Sequence, residues 1–125
     1  MDLEYIASRI VHSAICVHSA LGPGLLESAY EACLARELEL AGLECVRQKK
    51  LPIKYRGILI EAGYRIDLLV CESIIVELKT VDSLHPVHYA QLLSYLKLSD
   101  ARIGFLLNFN VTQMKNGIKR LVNGL

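Results

Sequence analysis

Two acids and a lysine stand where their types and spacing could do chemistry. Residues 64–80 read Y-R-I-D-L-L-V, then C-E-S, then I-I-V-E-L-K-T. Two short runs rich in Ile, Leu and Val joined by a polar break are the pattern of a β-hairpin. With Cys71, Glu72 and Ser73 as a three-residue turn, Val70 pairs with Ile74 and the antiparallel ladder brings Asp67 opposite Glu77, on one face of the sheet. Lys79 follows two residues after Glu77, so the period of two along a strand puts it on that face too. A two-residue turn would slip the register by one and part the two acids.

Charges on a mostly buried sheet cost roughly several kcal/mol each unless they are paired, hydrogen-bonded or bound to an ion. Two readings account for the cluster. One is a structural ion pair of Lys79 with Asp67 or Glu77 on a half-exposed face, where it contributes little. The other is a divalent metal held by Asp67 and Glu77, with Lys79 orienting or deprotonating an attacking water. Mg²⁺ prefers oxygen ligands and often takes one or two carboxylates, with water and phosphate oxygens in its remaining positions.

The elements that must position these residues are legible from periodicity. Over residues 2–21, Ile6, Ile10, Ala14, Val17 and Leu21 recur at steps of three and four, the stripe of an amphipathic helix. Gly22-Pro23-Gly24 ends it. A second helix is expected over residues 25–41, with Leu26, Tyr30, Cys33, Leu34 and Leu38 inward and Gly42 as its stop. Glu27 falls in its first turn, where the helix dipole favours a negative charge. Residues 43–46, 51–55 and 58–62 then read as strands leading into the charged hairpin.

After the hairpin, Pro86 suits the first turn of a third helix, with Val87, Ala90, Leu93, Leu96 and Leu98 as its apolar surface. His88, Gln91 and Tyr95 form a separate polar stripe on it, of the kind that usually faces solvent. Residues 103–109 read as a buried strand, 110–116 as a loop and 118–122 as a last short strand. The class is α/β: helices, a central sheet, one helix, then closing strands.

At 125 residues and 14.0 kDa the chain fits one domain, residues 1–125, with a genuine core and no separate recognition domain. Its apolar runs fall short of the ~20 residues that span a bilayer, so no membrane association is expected. Met1-Asp2-Leu3-Glu4 is acidic where a signal peptide is basic, which favours a cytoplasmic location. Cys16, Cys33, Cys45 and Cys71 form no C-x-x-C pair and read as reduced core thiols rather than a zinc site. A formal net charge of +1 gives little non-specific pull on a polyanion. Nucleic-acid contacts would come from local patches: Arg47, Lys49, Lys50, Lys54 and Arg56, or Lys115, Lys119 and Arg120. Each patch alone is equally an ordinary solvated surface. The compact chain and apolar first helix suit a homodimer.

Asp67 followed ten residues later by Glu77-x-Lys79 resembles the active-site signature of the PD-(D/E)xK phosphodiesterase superfamily, with Ile66 in the place of the proline. Gln91-x-x-x-Tyr95 resembles the additional motif of its RecB-like branch. G-L-L-E-S-A-Y at residues 24–30 matches the pattern that names the GxxExxY family, and V-H-Y-A-Q-L-L-S-Y-L at 87–96 and G-F-L-L-N-F at 104–109 look like the same family. The resemblance runs from the first helix to about Val122. It implies a restriction-endonuclease-like core, a central mixed β-sheet flanked by helices. It implies that Asp67 and Glu77 bind Mg²⁺ or Mn²⁺ and that Lys79 positions the attacking water. Glu27 would reach the same or a second ion, while Gln91 and Tyr95 would order the site or contact substrate phosphate. His88, at the loop-to-helix junction, is a further candidate substrate contact. The implied activity is metal-dependent hydrolysis of nucleic acid, DNA ahead of RNA. The alternative is a catalytically inactive nuclease-fold module that binds nucleic acid or a protein partner.

Overall fold

The computed structural model describes residues 1–124. Helix α1 spans Leu3–Leu21. Asp2 caps its start by accepting the Glu4 N–H at 3.3 Å, and the helix ends at Gly22, whose φ of 69° is open to glycine at little steric cost. Ile6, Ile10, Ala14 and Val17 are buried, so the stripe that suggested a dimer face packs against the chain's own sheet.

Helix α2 spans Glu27–Leu40, two residues later than its periodicity suggested. Leu25 precedes it and Leu26 occupies its N-cap, 76% exposed instead of inward. Tyr30 sets this boundary. Its ring stacks on Phe109 with centroids 4.5 Å apart, and its hydroxyl donates to the Gly22 carbonyl (2.5 Å) and accepts the Leu25 N–H (3.1 Å). One buried side chain thus holds the turn between α1 and α2.

The strands are β1 (Cys45–Lys50), β2 (Ile53–Tyr55), β3 (Ile58–Ile60), β4 (Arg65–Val70), β5 (Ile74–Lys79), β6 (Ile103–Asn108) and β7 (Ile118–Val122). Helix α3 (Pro86–Ser99) connects β5 to β6, and a 3₁₀ turn at Met114–Gly117 lies within the last loop. Five strands form the central sheet in the order β1-β4-β5-β6-β7, with β5 and β6 parallel and the other neighbours antiparallel. The sheet is therefore mixed, and α3 is the crossover that a parallel pair requires.

The middle of the chain differs from expectation. The strand expected at residues 43–46 runs over Cys45–Lys50, and β2 and β3 form a separate two-stranded ribbon outside the sheet. Val46 to Lys50 are exposed on an edge strand, so no apolar alternation marks them. None of the four cysteines forms a disulfide, and all are half-buried.

The sheet has two covered faces. On one, α1 and α2 pack on Leu68, Val70, Ile74, Val76, Leu78, Phe105 and Leu107. On the other, Leu92, Tyr95 and Leu96 of α3 pack with Ile66, Ile75 and Leu106. The apolar face expected for α3 is thereby corrected. Val87, Ala90 and Leu98 point outward, and Tyr95 of the supposed solvent-facing stripe is buried, with His88 and Gln91 half-buried beside it. A helix this apolar on several sides does not reveal its inner stripe by period alone. The close seat of α3 depends on Gly104, where an added Cβ would come within 3.0 Å of Leu92 Cδ1 and 3.1 Å of Leu96 Cδ2.

Tyr30→Phe keeps the stacked ring and removes the hydroxyl that holds the turn. Stability in urea should fall by about 1–2 kcal/mol. An unchanged unfolding midpoint would show that the Gly22–Leu25 turn is held by other contacts.

Candidate active site

The hairpin closes as the turn count requires: Val70 pairs with Ile74, Leu69 with Ile75 and Leu68 with Val76. The ladder then stops. At the next position the Asp67 N–H donates to Glu77 Oε2 at 2.7 Å, and the Leu78 N–H donates to Asp67 Oδ2 at 2.9 Å. Two carboxylates have taken the place of backbone partners, so β4 and β5 part while their N–H groups stay satisfied. The interruption also shows along β4, where Leu68 and Val70 pack on one face of the sheet and Ile66 on the other. On the far side of β4, the β1 pairing runs from Cys45↔Val70 to Lys50↔Arg65 but omits Gln48 opposite Asp67.

Gln48 has a φ of 54°, a left-handed conformation that a side chain with a Cβ adopts at a cost of about 1–2 kcal/mol. From there its amide Nε2 donates to Glu31 Oε1 at 2.6 Å and to Asp67 Oδ1 at 3.3 Å. Glu31 is buried and also accepts from Arg47 Nε at 3.0 Å. Both residues belong to the site, and neither was singled out from sequence. Glu31 did carry a signal: it lies four residues after Glu27, on the same helix face. Gln48 had none, because its role depends on a backbone distortion.

Glu77 is only 4% exposed, and its carboxyl is pushed up to about 8, first by burial and then by the charge of Asp67. Burial likewise raises Asp67, with Glu31 adding to the shift, while the Leu78 N–H, the Gln48 amide and Lys79 oppose it. Glu27, at the first position of α2, stays solvent-exposed, and its pKa is raised by partial desolvation and then by the charge of Asp67, with Lys79 opposing. The positive charge of Lys79 acts on all three acids. Even so, the ion pairs among the described residues are Arg36–Glu39, Arg47–Glu31 and Arg120–Glu4, and none involves Lys79. The structural ion-pair reading thus lacks its bond, and the acids remain short of positive charge.

The third helix closes the site. Tyr95 is buried, and its pKa is raised by burial and then by the charge of Glu77. Gln91 lines the groove beside Tyr95 without a hydrogen bond to Asp67 or Glu77. His88 Nδ1 accepts the His85 N–H at 3.0 Å, which fixes the ring at the helix start with its proton on Nε2. Burial and then Lys79 lower its pKa.

Residues 4–121 match the family described as the PD-(D/E)XK nuclease superfamily. That span covers both helical layers and all but the last residue of the sheet. The chain belongs to the PD-(D/E)XK nuclease superfamily. No curated protein and no solved structure matches it. Its five-stranded mixed sheet between helices is the restriction-endonuclease-like fold expected from the sequence. No described helix is long and apolar enough to cross a membrane.

PD-(D/E)XK nucleases generally use divalent metals such as Mg²⁺, and the donor set here suits a hard cation: clustered carboxylates with raised pKa values and no bonded counter-charge. Among the described residues no three His, Cys, Asp or Glu side chains converge as a ready metal cage. The fit is therefore to a two-carboxylate site whose other positions are left to water and phosphate.

Glu77 also sets a pH dependence in the metal-free protein. Below its ordinary value of 4.5 it is protonated both folded and unfolded. From there to about 8 the folded chain keeps a proton that the unfolded chain has released, so stability falls as pH rises through this window. Glu77→Gln removes that titration. Its thermal midpoint should vary less between about pH 5 and 8 and exceed the wild type by roughly 5 °C at the upper end. Parallel profiles for the two proteins would rule out a buried, proton-holding Glu77.

Proposed function

We propose that this PD-(D/E)XK protein is a divalent-metal-dependent nuclease that hydrolyses phosphodiester bonds, with DNA ahead of RNA as substrate. The observation that carries the reading is the parted ladder where half-buried Asp67 meets buried Glu77, with the charge of Lys79 acting on both but not ion-paired to them. Asp67 and Glu77 would hold Mg²⁺ or Mn²⁺. Bound there, the ion supplies neutralisation of phosphoryl charge and acidification of water.

The remaining work falls to side chains of this chain. Lys79 orients the attacking water and takes up or directs its proton. Glu27, across the site at the start of α2, holds a further water or a second ion. Gln48 keeps Asp67 oriented by donating to its Oδ1. Tyr95 and Gln91 present a hydroxyl and an amide toward a phosphate, and His88 offers its Nε2–H at the α3 start. The acidic wall repels phosphate until a cation is present, so substrate and ion engage together.

The narrower GxxExxY assignment is supported by the motif's own mechanics. Its tyrosine, Tyr30, fixes the turn just before its glutamate, Glu27, whose carboxyl feels the charge of Asp67. Both helical layers rest on one sheet, which supports reading residues 1–125 as a single nuclease-like domain. A second reading, a non-catalytic module of the same fold, draws on the absence of a closed three-acid cage among the described residues.

Calorimetric titration of Mn²⁺ should show binding to the wild type that Asp67→Asn abolishes. With Mg²⁺ or Mn²⁺, Lys79→Ala should slow oligonucleotide cleavage by about a hundredfold or more without loss of fold. Binding of nucleic acid that persists in chelator and is insensitive to Lys79→Ala, with no cleavage by the wild type in Mg²⁺ or Mn²⁺, would replace this reading with the non-catalytic one.

A further inference from the structure

A groove of about 540 Å³ lies beside α3, between it and the β2–β3 ribbon. Tyr64 and Tyr95 wall it, with ring centroids 6.1 Å apart and planes at 61°. Ile53 of the ribbon and Leu98 of α3 add apolar surface, while Gln91 and Lys97 supply polar groups. Tyr64 is 43% exposed and Leu98 41%, so this is open surface and not core. Tyr95, which lines the groove, and Gln91 beside it belong to the same helix α3 that covers the sheet next to the acid cluster, and Tyr95 feels the charges of Glu77 and Asp67.

Lys97 lines the groove, and the ribbon that contributes Ile53 belongs to a basic stretch, of which Arg47 is paired with Glu31 on α2. Between residues 47 and 65 the sequence carries Arg47, Lys49, Lys50, Lys54, Arg56 and Arg65 against the single acid Glu61, in a chain whose net charge is +1. All six basic residues are exposed. Arg56 lies over the exposed ring of Tyr55, 5.7 Å from its centroid, at the turn of the ribbon. A positive flank next to an aromatic-walled groove is the pairing that holds single-stranded nucleic acid, with backbone on charge and base on ring. Bases stacked within a duplex cannot enter such a groove, whereas an unpaired base can.

Building on the nuclease reading, we propose that the Tyr64–Tyr95 groove seats an unstacked base of a single strand whose backbone runs from the basic ribbon to the acid cluster. The substrate class is then a single-stranded nucleic acid or the single-stranded end of a duplex. Lys97 contacts a phosphate or a base edge at the groove, and Tyr64 provides the stacking surface. Tyr64, unlike Tyr95 and Gln91, has no part in the proposed bond breaking, so binding and cleavage can be separated at that residue.

The test is fluorescence anisotropy with labelled single-stranded DNA, the same sequence as RNA and the same sequence as duplex DNA. Ionic strength is fixed, because phosphate contacts weaken with salt. Lys79→Ala in Ca²⁺ provides a background without cleavage. The single strand should bind more tightly than the duplex, and Tyr64→Ala should weaken it about tenfold while Tyr64→Phe retains it and duplex binding is unchanged. The DNA and RNA arms show which sugar is preferred, and either preference is consistent with the groove. Equal binding of single strand and duplex, loss confined to neither, or no oligonucleotide binding at all would overturn the proposal. Cleavage without single-strand preference removes the groove and leaves the nuclease reading. Preference lost in Tyr64→Ala, with no cleavage by the wild type in Mg²⁺ or Mn²⁺, removes the nuclease reading and leaves the groove.

Discussion

Asp67 and Glu77 occupy positions in a sheet where backbone would ordinarily pair with backbone, and much of the surrounding structure follows from that substitution. A carboxylate accepts hydrogen bonds and donates none, so each acid can satisfy a neighbouring N–H only if the strands move apart to admit it. The Asp67 and Leu78 N–H groups are satisfied in this way, by Glu77 Oε2 and Asp67 Oδ2. The cost is electrostatic: half-buried Asp67 and buried Glu77 meet, and the Glu77 carboxyl is pushed up to about 8. The fold tolerates this because the same strands are deeply buried just before the split. Ile74, Ile75 and Val76 are fully covered by the two helical layers. Local rules broken beside well-packed strands mark a position kept for a purpose other than stability.

The groups around the split are fixed from the ends of the parallel strands. Phe109, just after β6, stacks on Tyr30, and Tyr30 holds the turn that starts α2 with Glu27. Asn108, the last residue of β6, donates from Nδ2 to the Val81 carbonyl and accepts the Val81 N–H, fixing the chain two residues beyond Lys79. Gly117 passes so close to the Asn108 carbonyl that an added Cβ would lie 2.0 Å from it. Glu27 on one side and the loop leading to α3 on the other are thus held to one corner of the sheet. That corner is the carboxyl end of a parallel strand pair, where α/β proteins commonly place their sites.

How much of this was legible in the sequence depends on how local each feature is. The meeting of Asp67 and Glu77 follows from counting across a three-residue turn, and the pairing Val70↔Ile74 realises that count. The parting of the ladder does not follow, since alternation assumes regular strands, and the β4 alternation changes face at Asp67. Gln48 was invisible for the same reason, since its role needs a left-handed residue in an edge strand, whereas Glu31 showed only as a helical neighbour of Glu27 and its bond to Gln48 did not. On α3 the difficulty was an excess of signal. With Val87, Ala90, Leu92, Leu93, Leu96 and Leu98 distributed around the helix, period alone could not select Leu92, Tyr95 and Leu96 as the inner face.

A net charge of +1 conceals a separation of charge that matters more than the sum. Glu27, Glu31 and Asp67 concentrate negative charge at one corner of the sheet around the proton-holding Glu77, while β1 and the ribbon carry exposed Lys and Arg. Arg47 and Gln48 join the two regions directly through Glu31. On the proposed function a polyanion is drawn to the basic flank and repelled by the acids, so its backbone can enter the corner only when a cation offsets them. An ion that favours entry of the phosphate must itself bind more tightly when the phosphate is present, because the coupling free energy between two ligands is shared. On that reading the acid pair would supply only part of an ion's oxygen ligands and the strand's phosphate the rest, which fits two converging carboxylates rather than three among the described residues.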